Sequence, residues 1–442
     1  IDPDHRFHDG NWRGMLLPVG KGTMVQLSVN SSNQLIYLRI ENDMPSIKLF
    51  DIHADDPSEG NVVTGVGGYV MSGDGQKLGV FGPSGLAIIN AAKGQSLANA
   101  VPTDNMMVSL DPRAEWRQIV RDVWRRYRDY FYVENMHGVD WDAVYAHYDA
   151  MIDDAVSRQD IDYIIGEMIG EINVGHAYNM GGATEMEPSI DVGMLGADLE
   201  LATTDEGTAY RVADILEGGA WDIDARGPLS QPGIDIEEGD FILAVNGRAI
   251  DTTLDPWAAF LGTAGDIVTL TVSAKPMIDD DAYEVTLTLI DGNAEFDLRF
   301  RQWVEANRQY IHDKSDGRIA YIYVPDTGVN GQNELFRQFY GQMHMDAMVV
   351  DDRFNGGGQI PDRFIELLDR PVTNQWAVRN GRDWQWPPDA APGPKAMLIN
   401  GWAGSGGDMF PWLFKQNGLG PVIGTRTWGG LVGISGVPGR IA

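Results

Sequence analysis

Apolar and polar positions change their rhythm three times along the chain. Over residues 1–105 short apolar and β-branched runs (24–29, 35–40 and 46–52) lie between turn clusters, which predicts β-strands. The segment 71–82, MSGDGQKLGVFG, predicts a hairpin around its Gly-Asp-Gly turn. Strands at this spacing suit a sandwich or propeller blades, and no repeat period is visible in so short a stretch. From Asp111-Pro112 the rhythm becomes helical. Trp116, Ile119, Val120, Val123, Trp124 and Tyr127 recur at three- and four-residue steps, behind a cap residue and a proline at the first helical position. Two more helical patterns follow, DWDAVYAHYDAMI and DIDYIIGEMIGEI, making a small helical domain.

A third region, residues 190–275, returns to strands. A glycine-containing loop runs into the strand of MLGADLEL, and GDFILAVNGRAI reads as strand, Asn-Gly turn, strand. PWAAFLGTAGD is a short helix and IVTLTVSA a strand. That order resembles a PDZ domain, whose first loop receives a peptide terminus while the adjacent groove adds the peptide as a strand. In residues 295–442 apolar strands (RIAYIYV, DAMVVDD, KAMLING) alternate with helices, ELFRQFYGQM and the segment after Ser405, which predicts an α/β unit with a mainly parallel sheet.

Composition narrows the functional classes. With 442 residues and 43% hydrophobic content, several packed units are expected rather than disorder. A net charge of −31, spread along the chain, repels phosphate backbones and anionic lipid heads, so nucleic acid and membrane surfaces are poor partners. The absence of cysteine excludes disulfides, thiolate metal sites and a cysteine nucleophile. No apolar run reaches the ~18–20 residues that span a bilayer. The start, IDPDHRFHDGNW, has neither an initiator methionine nor a signal-peptide pattern, and reads as internal, so that a targeting segment could precede it.

Three segments carry candidate chemistry. In NGWAGSGGDMFPWLF a strand ends in a small-residue loop and a helix follows, with Ser405 at the junction. A helix N-terminus offers free N–H groups and the positive end of a dipole, which suits a nucleophile that develops negative charge; a plain N-cap is the structural alternative. In VVDDRFNGGGQIP, Gly356, Gly357 and Gly358 follow a parallel strand, a pattern for an anion-binding nest, an oxyanion hole or simply a turn. Asp351, Asp352 and Asp408 match no metal-ligand spacing, 279–281 reads as a solvated acidic turn, and no Gly-Lys-Ser/Thr follows the glycines, so neither a metal nor a phosphate-binding loop is expected. In EINVGHAYNMGG, His176 lies just after a helix; a serine nucleophile needs a base titrating near neutrality, and imidazole is one. The only lysine after Ser405 is Lys415, ten residues on in the same helix and so about 15 Å away, which excludes a downstream serine–lysine dyad within this chain.

These segments, with SLDPRAEWRQIVRDVWRRYRDYFYVENMHGVDWDAVYAHY, VGMLGADLEL, EEGDFILAVNGR and AGSGGDMFPWLFKQNGLGPVIGTRTWGGLVGI, resemble the tricorn protease family in its own domain order over residues 108–442. The resemblance implies a multidomain chain: the end of a β-propeller (1–105), a helical domain carrying His176 (106–188), a PDZ-like domain (189–278) and a crotonase-like α/β catalytic domain carrying Ser405 (279–442), cut short at its own end. It implies a serine endo- or exopeptidase acting on short peptides released by larger proteases, with Ser405 as nucleophile, His176 as general base and the N–H groups of Gly358 and Gly406 as oxyanion hole. No cofactor or metal is implied. A homo-oligomer is, a hexamer in the archetype, and the archaeal members are cytoplasmic while bacterial relatives can be periplasmic or secreted. Two departures stand out. Gly175 replaces the archetype's orienting serine beside the histidine, and the family's downstream glutamate would lie beyond Ala442. A catalytically impaired peptide-binding protein of the same fold is the alternative, and a different α/β hydrolase a more distant one.

Overall fold

The computed structural model describes residues 17–20, 22–41, 44–82, 85–98, 100–103, 106–182, 188–218 and 225–433. The chain forms two compact units, Ile1–Asp111 and Pro112–Ala442.

The first unit is all β. Strands β1 (Thr23–Val29), β2 (Leu35–Glu41), β3 (Met44–Phe50) and β4 (Glu59–Thr64) form an antiparallel sheet in sequence order, and β5 (Tyr69–Met71), β6 (Lys77–Gly82) and β7 (Gly85–Asn90) form a second. Alternate positions point inward, so Ile36, Leu38, Ile47, Leu49, Leu78 and Val80 share one buried core. The buried Arg39 is paired with Glu59 at 2.5 Å, as a charge removed from water must be.

In the second unit, α1 (Pro112–Tyr130), α2 (Trp141–Met151) and α3 (Arg158–Gly170) bury Val120, Trp141, Tyr148, Ile161, Ile165 and Met168 against one another. The Trp124 and Trp141 indoles each donate to the other's backbone carbonyl, both at 2.9 Å, which fixes α1 against the start of α2. Ser157 and Asp160 form a reciprocal capping box that starts α3, and the chain leaving α3 carries His176.

A five-stranded antiparallel sheet follows, in the order β13-β12-β10-β9-β8, with a short β11 beside β10. The strands are β8 (Ala197–Thr204), β9 (Gly207–Ile215), β10 (Phe241–Val245), β11 (Arg248–Ala249), β12 (Ile267–Ser273) and β13 (Tyr283–Thr288). The Asn246-Gly247 turn, both residues at positive φ, joins β10 to β11. The sheet runs past residue 278, because β13 pairs with Ile267–Val272 of β12.

The 23-residue α4 (Gly292–Lys314) leads into a parallel sheet in the order β14-β15-β18-β19. Its elements are β14 (Ile319–Tyr323), α5 (Val329–Gln342), β15 (Ala347–Asp351), α6 (Pro361–Leu368), the hairpin β16 (Asn374–Trp376) and β17 (Trp384–Trp386), β18 (Lys395–Ile399), α7 (Gly406–Gln416) and β19 (Val422–Gly424). Strands buried on both faces need unbroken apolar runs. Ile322, Val324, Val350 and Met397 supply them, and Phe339, Phe364, Phe410 and Phe414 from the helices fill the core. Because β14, β15 and β18 run the same way, the loops leaving their carboxyl ends emerge together, which is where open α/β sheets place ligands.

Candidate active site

Three loops meet at that edge. Gly356 N–H donates to the Pro325 carbonyl at 2.9 Å, Thr327 N–H to the Gly357 carbonyl at 2.9 Å, and Gly404 N–H to the Asn355 carbonyl at 3.1 Å. Asn355 is fully buried and acts as the rivet: its amide donates to Asp352 Oδ1 at 2.9 Å and its side-chain oxygen accepts from Gly357 N–H at 2.8 Å.

Ser405 sits at the N-cap of α7 with φ 57° and ψ −115°. A non-glycine residue at positive φ is strained, and the strain persists only where surroundings over-determine it. Here the surrounding contacts do so. A Cβ on Gly406 would lie 2.0 Å from Thr327 Oγ1, and one on Gly407 would lie 2.8 Å from the Asn355 carbonyl oxygen, so α7 can approach the glycine loop only without side chains. The turn lifts Ser405 into a cleft of about 570 Å³, lined also by His176, Tyr178, Asn355, Trp402 and Trp428.

Asp408, buried in the first turn of α7, fixes this bend. Its carboxylate accepts from the N–H groups of Ser405 (2.8 Å), Gly429 (2.7 Å) and Gly430 (2.9 Å). One charge thus ties the Ser405 loop to the segment carrying Trp428, whose own N–H reaches the Ala403 carbonyl at 2.9 Å. Trp428 in turn meets the edge of the His176 ring, with centroids 5.2 Å apart and planes at 81°. His176 also lies at positive φ (59°), and its Nδ1 is 2.8 Å from the Tyr178 hydroxyl. His176 and Ser405 therefore face one cleft, and no hydrogen bond joins them.

Of the other site residues read from the sequence, Gly406 is the first residue of α7, so its N–H has no intrahelical acceptor. The Gly358 N–H has none among the described residues, and it lies 2.7 Å from where a Gly406 Cβ would be. Gly358 and Gly406 are thus close neighbours. Gly175 packs against the Trp428–Gly430 segment: a Cβ there would meet Gly430 Cα at 2.7 Å.

The adjacent aspartates have different fates. Asp351 is fully buried but accepts from the Tyr321 hydroxyl at 2.6 Å and pairs with Arg353 at 2.5 Å, whose guanidinium lies over Trp303. The same pocket pushes the Tyr321 hydroxyl upward, by burial first and the Asp351 charge second. Burial also pushes the Asp352 carboxyl well above its usual range; the Asn355 bond opposes this and the Asp351 and Asp408 charges add to it. Asp279 pairs with Lys275 at 2.8 Å in its turn. Among the described residues no three His, Asp or Glu side chains converge as metal ligands, and no helix is long and apolar enough to cross a membrane.

In the loop preceding β8, the Gly196 N–H donates to Glu295 Oε2 of α4 at 3.1 Å. Glu295 is buried and paired with Arg299 at 2.7 Å, which also reaches Asp198 at 2.7 Å. A second cavity of about 440 Å³, between α4, α5 and β14, is lined by Leu298, Phe300, Arg301 and Val304 and holds no nucleophile–base pair.

Sequence reasoning passed over Tyr178, Trp428 and Asn355 as site residues, and considered Asp408 only as a metal ligand. The signal for Asp408 was present, since an acidic residue three positions after an N-cap serine is the spacing of a capping box.

Comparison with known proteins bears on the family and the fold. The model of the tricorn protease C1 domain matches residues 112–170, that of the tricorn protease PDZ domain 193–291, and that of peptidase family S41 318–438. Tricorn protease homolog 1 of Streptomyces coelicolor is 34% identical over 378 residues, 83% of this chain and 34% of that protein. A putative tricorn-like protease C-terminal subunit of Sulfurisphaera tokodaii is 34% identical over 336 residues, 76% of this chain and 38% of that protein. The crystal structure of the tricorn protease superposes with a TM-score of 0.78 at 27% identity, covering 96% of this chain and 41% of that one.

The α/β unit with its strained serine thus defines a serine-type peptidase fold. Within that class, the chain belongs to the tricorn protease family. Its first unit is the end of a β-propeller, followed by the helical, PDZ and crotonase-like α/β parts. The chain spans a little over a third of the length of these curated relatives.

Proposed function

We propose that this protein hydrolyses short peptides through an acyl-enzyme on Ser405, with His176 as general base. The supporting observation is the strained Ser405 at a helix N-terminus, sharing one cleft with a histidine whose Nδ1 is engaged and whose Nε2 remains for the serine. His176 takes the Ser405 proton as Oγ bonds to the peptide carbonyl carbon. The oxyanion receives the N–H groups of Gly358 and Gly406, donors that need no reorganisation as charge develops. The C–N bond then breaks, the amine leaves with the proton from His176, and water, deprotonated by the same imidazole, releases the acid. By family resemblance the peptides are products of larger proteases, the protein is cytoplasmic and it works as a homo-oligomer, a hexamer in the archetype.

Treatment of the complete protein with a fluorophosphonate, followed by peptide mass analysis, tests this reading. The expected result is one adduct, on Ser405, lost in His176→Ala. Labelling elsewhere, or none on folded protein, overturns it. A second reading, a peptide-binding protein with an impaired site, is favoured by Gly175, which removes a hydroxyl beside the base. It predicts peptide binding unchanged in Ser405→Ala and no turnover in either form.

A further inference from the structure

An imidazole that accepts a proton at Nε2 must carry its other proton at Nδ1, and a partner at Nδ1 sets that tautomer. The archetype's orienting serine is missing here, and the structure shows that it is excluded. The Cβ of any residue at position 175 would lie 2.7 Å from Gly430 Cα and 3.4 Å from Trp428 Cη2. That backbone cannot easily retreat, because Gly429 and Gly430 are tied to Asp408 and Trp428 to Ala403. Moving it would pull on the loop that bends Ser405.

The Nδ1 partner comes from the other side of the ring. Tyr178 places its hydroxyl 2.8 Å from Nδ1, with its ring against the imidazole at 5.8 Å and 66°. Among the described residues no other side chain hydrogen-bonds to His176. Trp428 makes a T-shaped contact with the same ring. Resting on the peptidase reading above, we infer that Tyr178 is the positioning residue of the general base, doing through a phenol what the family archetype does through the adjacent serine. The Nδ1–H donates to the phenol oxygen, which leaves the Nε2 lone pair for the Ser405 proton. When the imidazolium forms, the same bond persists and strengthens, as hydrogen bonds from charged donors do. The phenol keeps its own proton throughout. The left-handed backbone at His176 is what turns the ring toward a residue two positions on.

Tyr178→Phe in the complete protein removes only the hydroxyl. The Tyr178 side chain is more than half exposed, so thermal unfolding is expected to stay near that of the parent. With a fluorogenic peptide, kcat is expected to fall roughly 10- to 100-fold, less than for a buried charged partner, while KM stays within about twofold. Fluorophosphonate labelling of Ser405 should slow in proportion. The ¹⁵N resonances of His176 should move from a dominant Nδ1–H form to a tautomer mixture. Gly175→Ser added to Tyr178→Phe should not restore activity. Unchanged kcat and unchanged ¹⁵N shifts in Tyr178→Phe, or rescue by Gly175→Ser, overturn the inference. Failure of the peptidase reading would look different: the parent protein itself would not label at Ser405.

Discussion

Two loops in the second unit carry glycines at the mouth of a strand or helix, and they end up with opposite availability. Around Ser405, the Gly406 N–H and the neighbouring Gly358 N–H have no acceptor among the described residues. The loop before β8 has its Gly196 N–H taken from inside by the Glu295 carboxylate. On the peptidase reading proposed above, the first donors would wait for an anion to arrive; at Gly196 the anion is supplied by α4. Glycine content and strand context alone do not separate an open site from a closed one, because the deciding group lies far away in sequence.

The strongest way to break the contrast is Ser405→Ala. It should lower peptide turnover by on the order of 10⁶-fold, as loss of a nucleophile does in serine peptidases, while leaving thermal unfolding intact. Retained turnover would end the claim that the open loop is the reactive one. Next in size is Asp408→Asn. An amide cannot accept from all three N–H groups that the carboxylate holds, so about 1–3 kcal/mol of stability should be lost in urea unfolding. Peptide kcat should fall with it, because the Ser405 bend and the Trp428 contact share that residue. Glu295→Ala sharpens the other side. It removes the partner of Arg299 and Gly196, with an expected cost of roughly 1–2 kcal/mol, given that Arg299 is over a third exposed. Turnover below the unfolding temperature should be unchanged. Calorimetry with a peptide bearing a free carboxyl terminus should detect binding at the vacated donor only in the variant.

The smallest effect concerns pH. The folded state holds the Asp352 proton more tightly than the unfolded chain does, so between the two values it binds more protons and stability falls as pH rises above about 4. Asp352→Asn keeps the Asn355 contact through its carbonyl oxygen and cannot ionise. The decline in stability from pH 4 to 7 should therefore be shallower in the variant; equal slopes would show that Asp352 titrates normally.

Much of this was legible in the sequence where the governing forces are local. The strands of the first unit and helices α1 to α3 follow from apolar periodicity and cap residues, and the Asn-Gly turn named its own hairpin. Ser405 and His176 stood out because small residues flank them and a helix begins or ends nearby. The remainder depends on contacts between distant segments. Nothing in HAYNMGG says that the Tyr178 phenol reaches Nδ1, since that depends on the left-handed backbone at His176. Nothing in TRTWGG says that Trp428 covers the imidazole. The neighbouring Asp351 and Asp352 look equivalent in the sequence and differ only because Tyr321 and Arg353 face one of them.

The contact between Trp428 and His176 spans more than half of the chain. During synthesis the histidine is made before both the serine and the tryptophan that packs against it. Closing so long a loop is slow, because its entropy must be overcome before any contact rewards it. A chain of which only the first of these segments has been made therefore holds His176 without Ser405 or Trp428. On the peptidase reading proposed above, chemistry that needs both His176 and Ser405 would wait until the later segment has been made and has docked, so the order of synthesis itself would guard the nascent chain and its neighbours from premature cleavage.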